Sequence, residues 1–106
     1  MNTAFLQTKE DIISAIQVNR DKIKAFGVKK LGLFGSFVRE QQRPGSDIDL
    51  LVEFYPEHKT FDNFIHLSFF LEELLQQPVE LVTTESLSPY LSPYIIEEVE
   101  DVPLTT

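Results

Sequence analysis

Residues 31–54 read LGLFGSFVREQQRPGSDIDLLVEF, two apolar segments joined by a polar loop. The first segment, residues 31–34, predicts a short strand that stops at Gly35. The second, residues 47–54, alternates with period two, so that most aliphatic side chains share one face and the acidic side chains share the other. The loop, residues 39–46, contains a proline and a glycine. This stretch decides the fold, because it predicts two strands separated by a turn and a loop.

A helix is predicted before this stretch. Thr8 and Asp11 resemble a capping box, and apolar residues then recur at helical spacing. Gly27 is a suitable residue for the C-cap. One helix is therefore expected between Thr8 and Gly27.

A helix, a strand and a short helix are predicted after it. Thr60 or Asp62 can cap a helix rich in phenylalanine and leucine, and Pro78 ends that helix. Residues 79–83 predict a third strand, and residues 94–99 predict a short helix. The alternation of helices and strands along the chain indicates an α/β fold.

Length and composition predict one domain in the cytoplasm. Residues 1–106 are expected to form a single domain, with a core over residues 8–99 and a frayed tail over residues 100–106. The chain has no cysteine, which excludes disulfides and thiolate metal sites. The N-terminus lacks the basic and apolar regions of a signal peptide, and no apolar run approaches the roughly 20 residues that span a bilayer. We therefore expect a cytoplasmic protein without a membrane partner.

The charge balance argues against a nucleic-acid substrate. Nine basic and 17 acidic side chains give a formal net charge of -8 at pH 7. Affinity for nucleic acid rests mainly on lysine and arginine side chains that neutralise phosphates, so the average field of this chain would repel a polyanion. We expect no direct binding of nucleic acid.

The junction after the first strand is suited to binding phosphate. Gly35 lets a ligand approach the backbone, where a Cβ atom would intrude. A helix that starts at Ser36 or Phe37 would point free N–H groups and its positive dipole end at that ligand, and the Ser36 hydroxyl is a further donor. Most Gly-Ser pairs are ordinary turns, so this feature needs the support of its surroundings.

Asp47 and Asp49 are candidate metal ligands. Alternation along the strand aims both carboxylates the same way, while Ile48 anchors the strand in the core. Two neighbouring carboxylates repel each other unless a cation lies between them, and hard oxygen ligands suit Mg²⁺. The alternative is a strand end whose acidic side chains are solvated.

The two features together resemble a known family. Ten residues separate Ser36 from Asp47, and the strings LFGSF and SDIDLLVEF flank that gap. This pattern resembles the nucleotidyltransferases of the DNA polymerase β superfamily. It is more similar still to the smallest members, the minimal nucleotidyltransferase antitoxins that are paired with HEPN toxins. The resemblance covers residues 8–99, and it implies a small polymerase β-like domain in which a short mixed sheet packs against helices.

The resemblance also implies a third carboxylate on a later strand, within an Asp-Leu-Val string. Here the string is Val79-Glu80-Leu81-Val82, with glutamate in place of the usual aspartate. Glu80 could bind the catalytic metal or accept the proton of the attacking hydroxyl. A surface glutamate is the alternative.

A second departure follows the Gly-Ser pair. Family members commonly have Arg-Gly here, whereas this chain has Arg39 and Glu40. Arg39 is retained as a candidate phosphate contact. Glu40 would disfavour a triphosphate if it faced the pocket, and we expect it to point to solvent.

By resemblance, the chain is an enzyme that transfers AMP from ATP, with Mg²⁺, to a tyrosine hydroxyl of a cognate HEPN toxin. The implied catalytic and metal-binding residues are Asp47, Asp49 and Glu80. The implied nucleotide-binding residues are Gly35, Ser36 and Arg39. In this interpretation the protein is the antitoxin of a toxin–antitoxin pair.

Two other functions are left open. The glutamates at positions 40 and 80 are compatible with an antitoxin that lacks effective catalysis and neutralises its partner by binding alone, with the phenylalanine-rich helix as its docking face. A transferase that modifies a small molecule, of the aminoglycoside type, would normally need an added substrate domain. A homodimer and a hetero-oligomer are both left open.

Overall fold

The computed structural model describes residues 8–43, 46–90 and 92–104. In chain order the helices and strands are α1 (Lys9–Val18), α2 (Arg20–Lys24), β1 (Val28–Phe34), β2 (Ile48–Phe54), α3 (Phe61–Leu75), β3 (Val79–Thr83), α4 (Ser92–Glu98) and β4 (Glu100–Asp101). Short 3-10 turns lie at Gly35–Phe37, Pro56–His58 and Thr84–Ser86. None of the helices in the described ranges is both long and apolar enough to cross a membrane.

The four strands form one mixed sheet in the order β3-β2-β1-β4. The pairs β1–β2 and β1–β4 are antiparallel, and β2–β3 is parallel. The parallel pair needs a crossover, which α3 supplies. The predicted α/β class, with a short mixed sheet packed against helices, is confirmed.

The alternation along β2 is confirmed by burial. Ile48, Leu50 and Val52 are fully buried, and Phe54 is nearly so. Asp49 and Glu53, on the other face, are half-buried. Helices α1, α2 and α3 bury the aliphatic face of the sheet. Their contribution to the core consists of Ile12, Ile16, Ile23, Leu67, Leu71 and Leu75.

The predicted single helix between Thr8 and Gly27 is instead two helices, with the break at Asn19. The capping box of Thr8 and Asp11 is confirmed at the start of α1. Asn19 has φ -107° and ψ 21°, and its Nδ2 donates to the carbonyl of Ala15 at 2.9 Å. An asparagine side chain that bonds the nearby backbone competes with the regular helical pattern, and the helix is interrupted there.

The expectation of a frayed tail is wrong for residues 100–104. Glu100 and Asp101 pair with β1, and the N–H of Val102 donates to the carbonyl of Leu31 at 2.9 Å. Val102 and Leu104 belong to the hydrophobic core. Backbone pairing at the sheet edge holds a segment whose polar side chains show no strand pattern. Residues 105–106 lie outside the described residues.

Candidate active site

The turn after β1 is shaped by a glycine in the left-handed region. Gly35 has φ 82°, and it opens a 3-10 turn of three residues that Phe37, fully buried, anchors to the core. The helical turn predicted from Ser36 or Phe37 is present, as a 3-10 turn that starts at Gly35. The chain leaves the turn at Glu40, whose φ is 58°, and the next N–H, that of Gln41, donates to the carbonyl of Ser36 at 2.8 Å. So short a turn has little dipole, and any anion bound here would depend on individual donors.

The sheet brings two of the predicted carboxylates into register. Asp49 on β2 pairs with Glu80 on the parallel strand β3. Paired residues on adjacent strands project from the same face of a sheet, so both carboxylates belong to the face that carries the turn at Gly35. On the other side of Asp49, the partner is Phe34, the residue before that glycine. The central strand thus places Asp49 between Glu80 and the turn.

Asp49 is the electrostatic centre of this face. Its pKa is raised from 3.8 to about 6, chiefly by burial and then by the negative charges of Glu80 and Asp47. The positive charge of Arg39 lowers the Asp49 pKa, whereas the negative charge of Glu98 raises it. Among the described residues, the carboxylates of Glu80, Asp47 and Glu98 thus raise the Asp49 pKa, and the Arg39 guanidinium opposes them.

Gly35 and Asp49 are in direct contact. A Cβ atom at position 35 would overlap the Asp49 carboxylate and would stand 2.9 Å from its Cγ. The turn can lie against the carboxylate only because position 35 has no side chain. Gly35 was predicted to leave room for a ligand, and in the structure the room is taken by the Asp49 carboxylate.

Arg39 and the Gly35 amide share a partner that the sequence analysis did not identify. Glu98 is the last residue of α4. Its carboxylate accepts a hydrogen bond from the N–H of Gly35 at 2.6 Å and forms an ion pair with Arg39 Nη1 at 2.8 Å. The signal for Glu98 in the sequence is weak, because 63 residues separate it from Gly35. Only the pairing of β4 with β1 brings the end of α4 over the turn.

These groups line a cleft of about 480 Å³. Its lining consists of Phe34, Gly35, Arg39, Asp49, Glu80, Val82, Ser86, Leu87, Ser88, Ile95 and Glu98. Four predicted site residues are therefore brought together, namely Gly35, Arg39, Asp49 and Glu80. Ser36 and Asp47 are absent from the lining. Ser36 is half-buried within the turn, and Asp47 is exposed immediately before β2.

Glu40 faces away from the cleft. It is exposed, and it lies beside Lys9, Glu10 and Thr8 in a separate depression. The expectation that Glu40 points to solvent is confirmed, so its charge does not line the candidate phosphate site.

The predicted metal ligands meet a cation's requirements in part. Asp49 and Glu80 are hard oxygen donors in register, and their mutual repulsion contributes to the raised pKa of Asp49. A divalent cation would relieve that repulsion. Within residues 8–43, 46–90 and 92–104, however, no group of three or more His, Cys, Asp or Glu side chains is arranged so that it could hold a metal ion. The metal-binding roles of Asp47, Asp49 and Glu80 therefore stay predictions.

The sequence of this chain is similar to those of known nucleotidyltransferases. The family model described as nucleotidyltransferase domain matches residues 12–102. The protein adenylyltransferase MntA of Thermococcus cleftensis is 37% identical over 93 residues, which is 87% of this chain and 93% of that protein. Nucleotidyltransferases generally use a divalent metal ion and ATP.

Solved structures have the same fold. A chain of a crystallised toxin–antitoxin complex that contains MntA is 25% identical, with a TM-score of 0.66 over 95% of this chain and 76% of that chain. A chain from a complex of tri-AMPylated Shewanella oneidensis HEPN toxin with MNT antitoxin is 23% identical, with a TM-score of 0.56 over 84% of this chain and 72% of that chain. At 23% identity the second likeness shows the fold alone.

Proposed function

The chain belongs to the nucleotidyltransferase domain family, and we propose that it is a protein adenylyltransferase that transfers AMP from ATP to a hydroxyl group of a partner protein. The observation that carries this proposal is the register of Asp49 with Glu80 beside the turn at Gly35. The turn offers an N–H donor, and Arg39 lines the same cleft. Donors for phosphate and acids for a metal thus share one face of the sheet.

Each residue has a role in this reaction. The Gly35 N–H and the Arg39 guanidinium would bind the phosphates of ATP by charge-assisted hydrogen bonds. Asp49 and Glu80 would hold Mg²⁺, with Asp47 as a further ligand. When bound, the ion supplies charge neutralisation along the triphosphate.

The chemical step is an in-line displacement. The acceptor hydroxyl oxygen attacks the α-phosphorus, the bond from that phosphorus to the oxygen bridging to the β-phosphate breaks, and pyrophosphate leaves. Glu80, whose side chain is exposed in the cleft, is suited to receive the hydroxyl proton. Most of the acceleration would come from holding the triphosphate and the acceptor in line.

We propose a HEPN-family toxin as the acceptor, with one of its tyrosines as the modified residue. Support comes from the MntA relative and from the toxin–antitoxin complexes with the same fold. The net charge of -8 is consistent with a protein acceptor rather than a polyanion. Location in the cytoplasm and assembly with the toxin as a hetero-oligomer are part of the same proposal.

A second candidate function is neutralisation by binding alone. The observation that favours it is the contact of Glu98 with both phosphate donors, which leaves Gly35 N–H and Arg39 already engaged. An antitoxin of this kind would form a stable complex with its toxin and would transfer nothing.

Mass spectrometry separates the two functions. The purified chain is incubated with ATP, Mg²⁺ and a HEPN-family toxin, and the toxin is examined for added AMP. We expect Asp49→Asn and Glu80→Gln each to lower the rate of transfer by about 100-fold or more, because each removes an acid from the reacting centre. Glu53→Gln is the matched control, since Glu53 lies on the same strand as Asp49 but outside the cleft.

The outcomes differ for the two functions. Transfer by the wild type and by the Glu53 variant, with loss in the other two, supports the enzyme. A toxin that is bound and inhibited without any gain in mass, equally by all four proteins, would contradict the proposed activity and favour the binding function.

A further inference from the structure

Glu98 places a negative charge inside an already acidic cleft. Its side chain is 23% exposed, and its two carboxylate oxygens take different donors, the Gly35 N–H at 2.6 Å and Arg39 Nη1 at 2.8 Å. Glu98 also lies near enough to Asp49 to act on the pKa of that carboxylate. Glu98 is thus the third acid, with Glu80 and Asp47, that acts on Asp49, and it would be repelled unless these two donors held it.

The two donors are those that a phosphate would need. A backbone N–H in a glycine turn and a guanidinium are the groups by which proteins bind phosphate oxygens, and a carboxylate offers them a similar pair of anionic oxygens. The single N–H of Gly35 can serve either Glu98 or a ligand, and a phosphate bound at Arg39 would be repelled by the Glu98 carboxylate already paired with that guanidinium.

We propose that Glu98 is an internal competitor of the triphosphate, and that it thereby sets the affinity of the cleft for nucleotide. In the free chain, the Glu98 carboxylate takes the Gly35 N–H and Arg39. On binding, a phosphate of ATP takes these donors, and the Glu98 side chain turns away to solvent. This inference rests on the proposed function, because it assigns the triphosphate to the same cleft.

The surroundings of Glu98 allow this exchange. Helix α4 has no buried residue, so that a shift of its last turn uncovers little apolar surface. The segment that follows is held by the pairing of Glu100 with Leu33. The movement is therefore confined to the Glu98 side chain and the end of α4, and it does not require the sheet to open.

The test is nucleotide affinity. Binding of ATP with Mg²⁺ is measured by calorimetry for the wild type, Glu98→Gln and Glu98→Ala. We expect both variants to bind ATP more tightly, by about 10-fold, because the competing charge-assisted contacts are lost. Inorganic tripolyphosphate should show the same gain, since the competition concerns the phosphates.

Glu97→Gln is the matched control. Glu97 is the neighbouring residue of α4, it is exposed, and it is absent from the cleft lining. The change in net charge is the same in Glu97→Gln and Glu98→Gln. If the control gained affinity as much as Glu98→Gln, a general field effect would explain the result and the inference would be overturned.

A merely structural role for Glu98 predicts the opposite result. If Glu98 only steadies the turn at Gly35, its loss would weaken ATP binding. If the wild type binds ATP and a folded Glu98→Gln variant binds it equally or more weakly, this inference is overturned and the proposed function is left intact. Absence of binding by both proteins overturns the two together.

A second measurement follows the contact itself without nucleotide. The chain has four glycines, so selective ¹⁵N-glycine labelling gives few amide signals. We expect the Gly35 amide proton to move upfield in Glu98→Ala and to shift on addition of tripolyphosphate to the wild type. An amide signal that is the same in both proteins would show that the contact is not formed in solution.

Discussion

The α carbon of Gly35 lies against the carboxylate of Asp49, in the space where any other residue would carry its Cβ. The same glycine has φ 82°, a conformation that L-residues adopt rarely. Asp49 in turn is paired with Glu80 on the neighbouring strand. The candidate phosphate turn and the candidate metal carboxylates are thus one packed unit, and a change at one is expected to disturb the other.

Replacement of Gly35 by alanine should therefore damage both stability and activity. The added Cβ would be strained at φ 82° and would displace the Asp49 carboxylate. We expect a loss of about 1–2 kcal/mol in the free energy of unfolding from the backbone conformation. A shift of about 1 Å at Asp49 would lower transfer by roughly 100-fold. Urea unfolding and the rate of AMP transfer measure the two effects.

A double variant tests whether the contact is the cause. Asp49→Gly removes the side chain that the new Cβ would meet. Gly35→Ala should cost less stability in the Asp49→Gly background than in the wild type, because only the backbone strain is left. If the losses in the free energy of unfolding were strictly additive in the double variant, the contact with Asp49 would not be the cause of the destabilisation.

The pH dependence of stability should reveal Asp49. Since its pKa rises from 3.8 to about 6 on folding, the folded chain binds this proton more tightly than the unfolded chain does. The stability that the protonated Asp49 contributes is fully present below about pH 4. It decreases as the pH rises to about 6 and does not change at higher pH. Asp49→Asn, which cannot ionise, should be more stable than the wild type at pH 8 and should lose that advantage near pH 4.

Thermal unfolding across this pH range is the measurement. Asp101→Asn removes an exposed carboxylate outside the cleft, and it serves as the control that should show no gain at pH 8. The proposed origin of the shift would be wrong if Asp49→Asn differed from the wild type by a constant amount at every pH.

Glycine at position 40 should stabilise the fold without a change in nucleotide affinity. Glu40 has φ 58° and is exposed, so its side chain adds strain with little packing in return. We expect Glu40→Gly to raise the free energy of unfolding by about 0.5–1 kcal/mol, the relief of strain being partly offset by the greater entropy of the unfolded chain. Glu40→Ala keeps the Cβ and removes the charge. If alanine stabilised as much as glycine, charge rather than backbone conformation would be responsible.

The C-terminal segment should contribute to stability. Val102 is 2% exposed and packs in the core. We expect Val102→Ala to lower the free energy of unfolding by about 2 kcal/mol, because it leaves a cavity. Val18, which is 81% exposed, provides the same substitution on the surface, where the effect should stay within about 0.5 kcal/mol. Equal urea midpoints for the two variants would show that the segment is not packed in solution.

Local patterns predicted much of the fold. Alternation located the aliphatic face of β2, and the residue types at Thr8 and Thr60 marked the starts of α1 and α3. These predictions succeed because period and capping depend on neighbours in the chain. The break at Asn19 and the strand β4 were missed, since a side chain-to-backbone bond and an edge pairing of polar residues leave little trace in hydrophobic periodicity.

The sequence by itself determined the chemical groups of the site, because the Gly-Ser turn, the alternating acids of β2 and the acid of β3 each belong to one short segment. The tertiary structure alone decided which of them meet. It put Asp49 in register with Glu80 and against Gly35, left Asp47 and Ser36 outside the cleft lining, and added Glu98. The physical reason is that strand register and the position of α4 depend on pairing between distant segments. The sign and size of the charge on this cleft follow from that pairing.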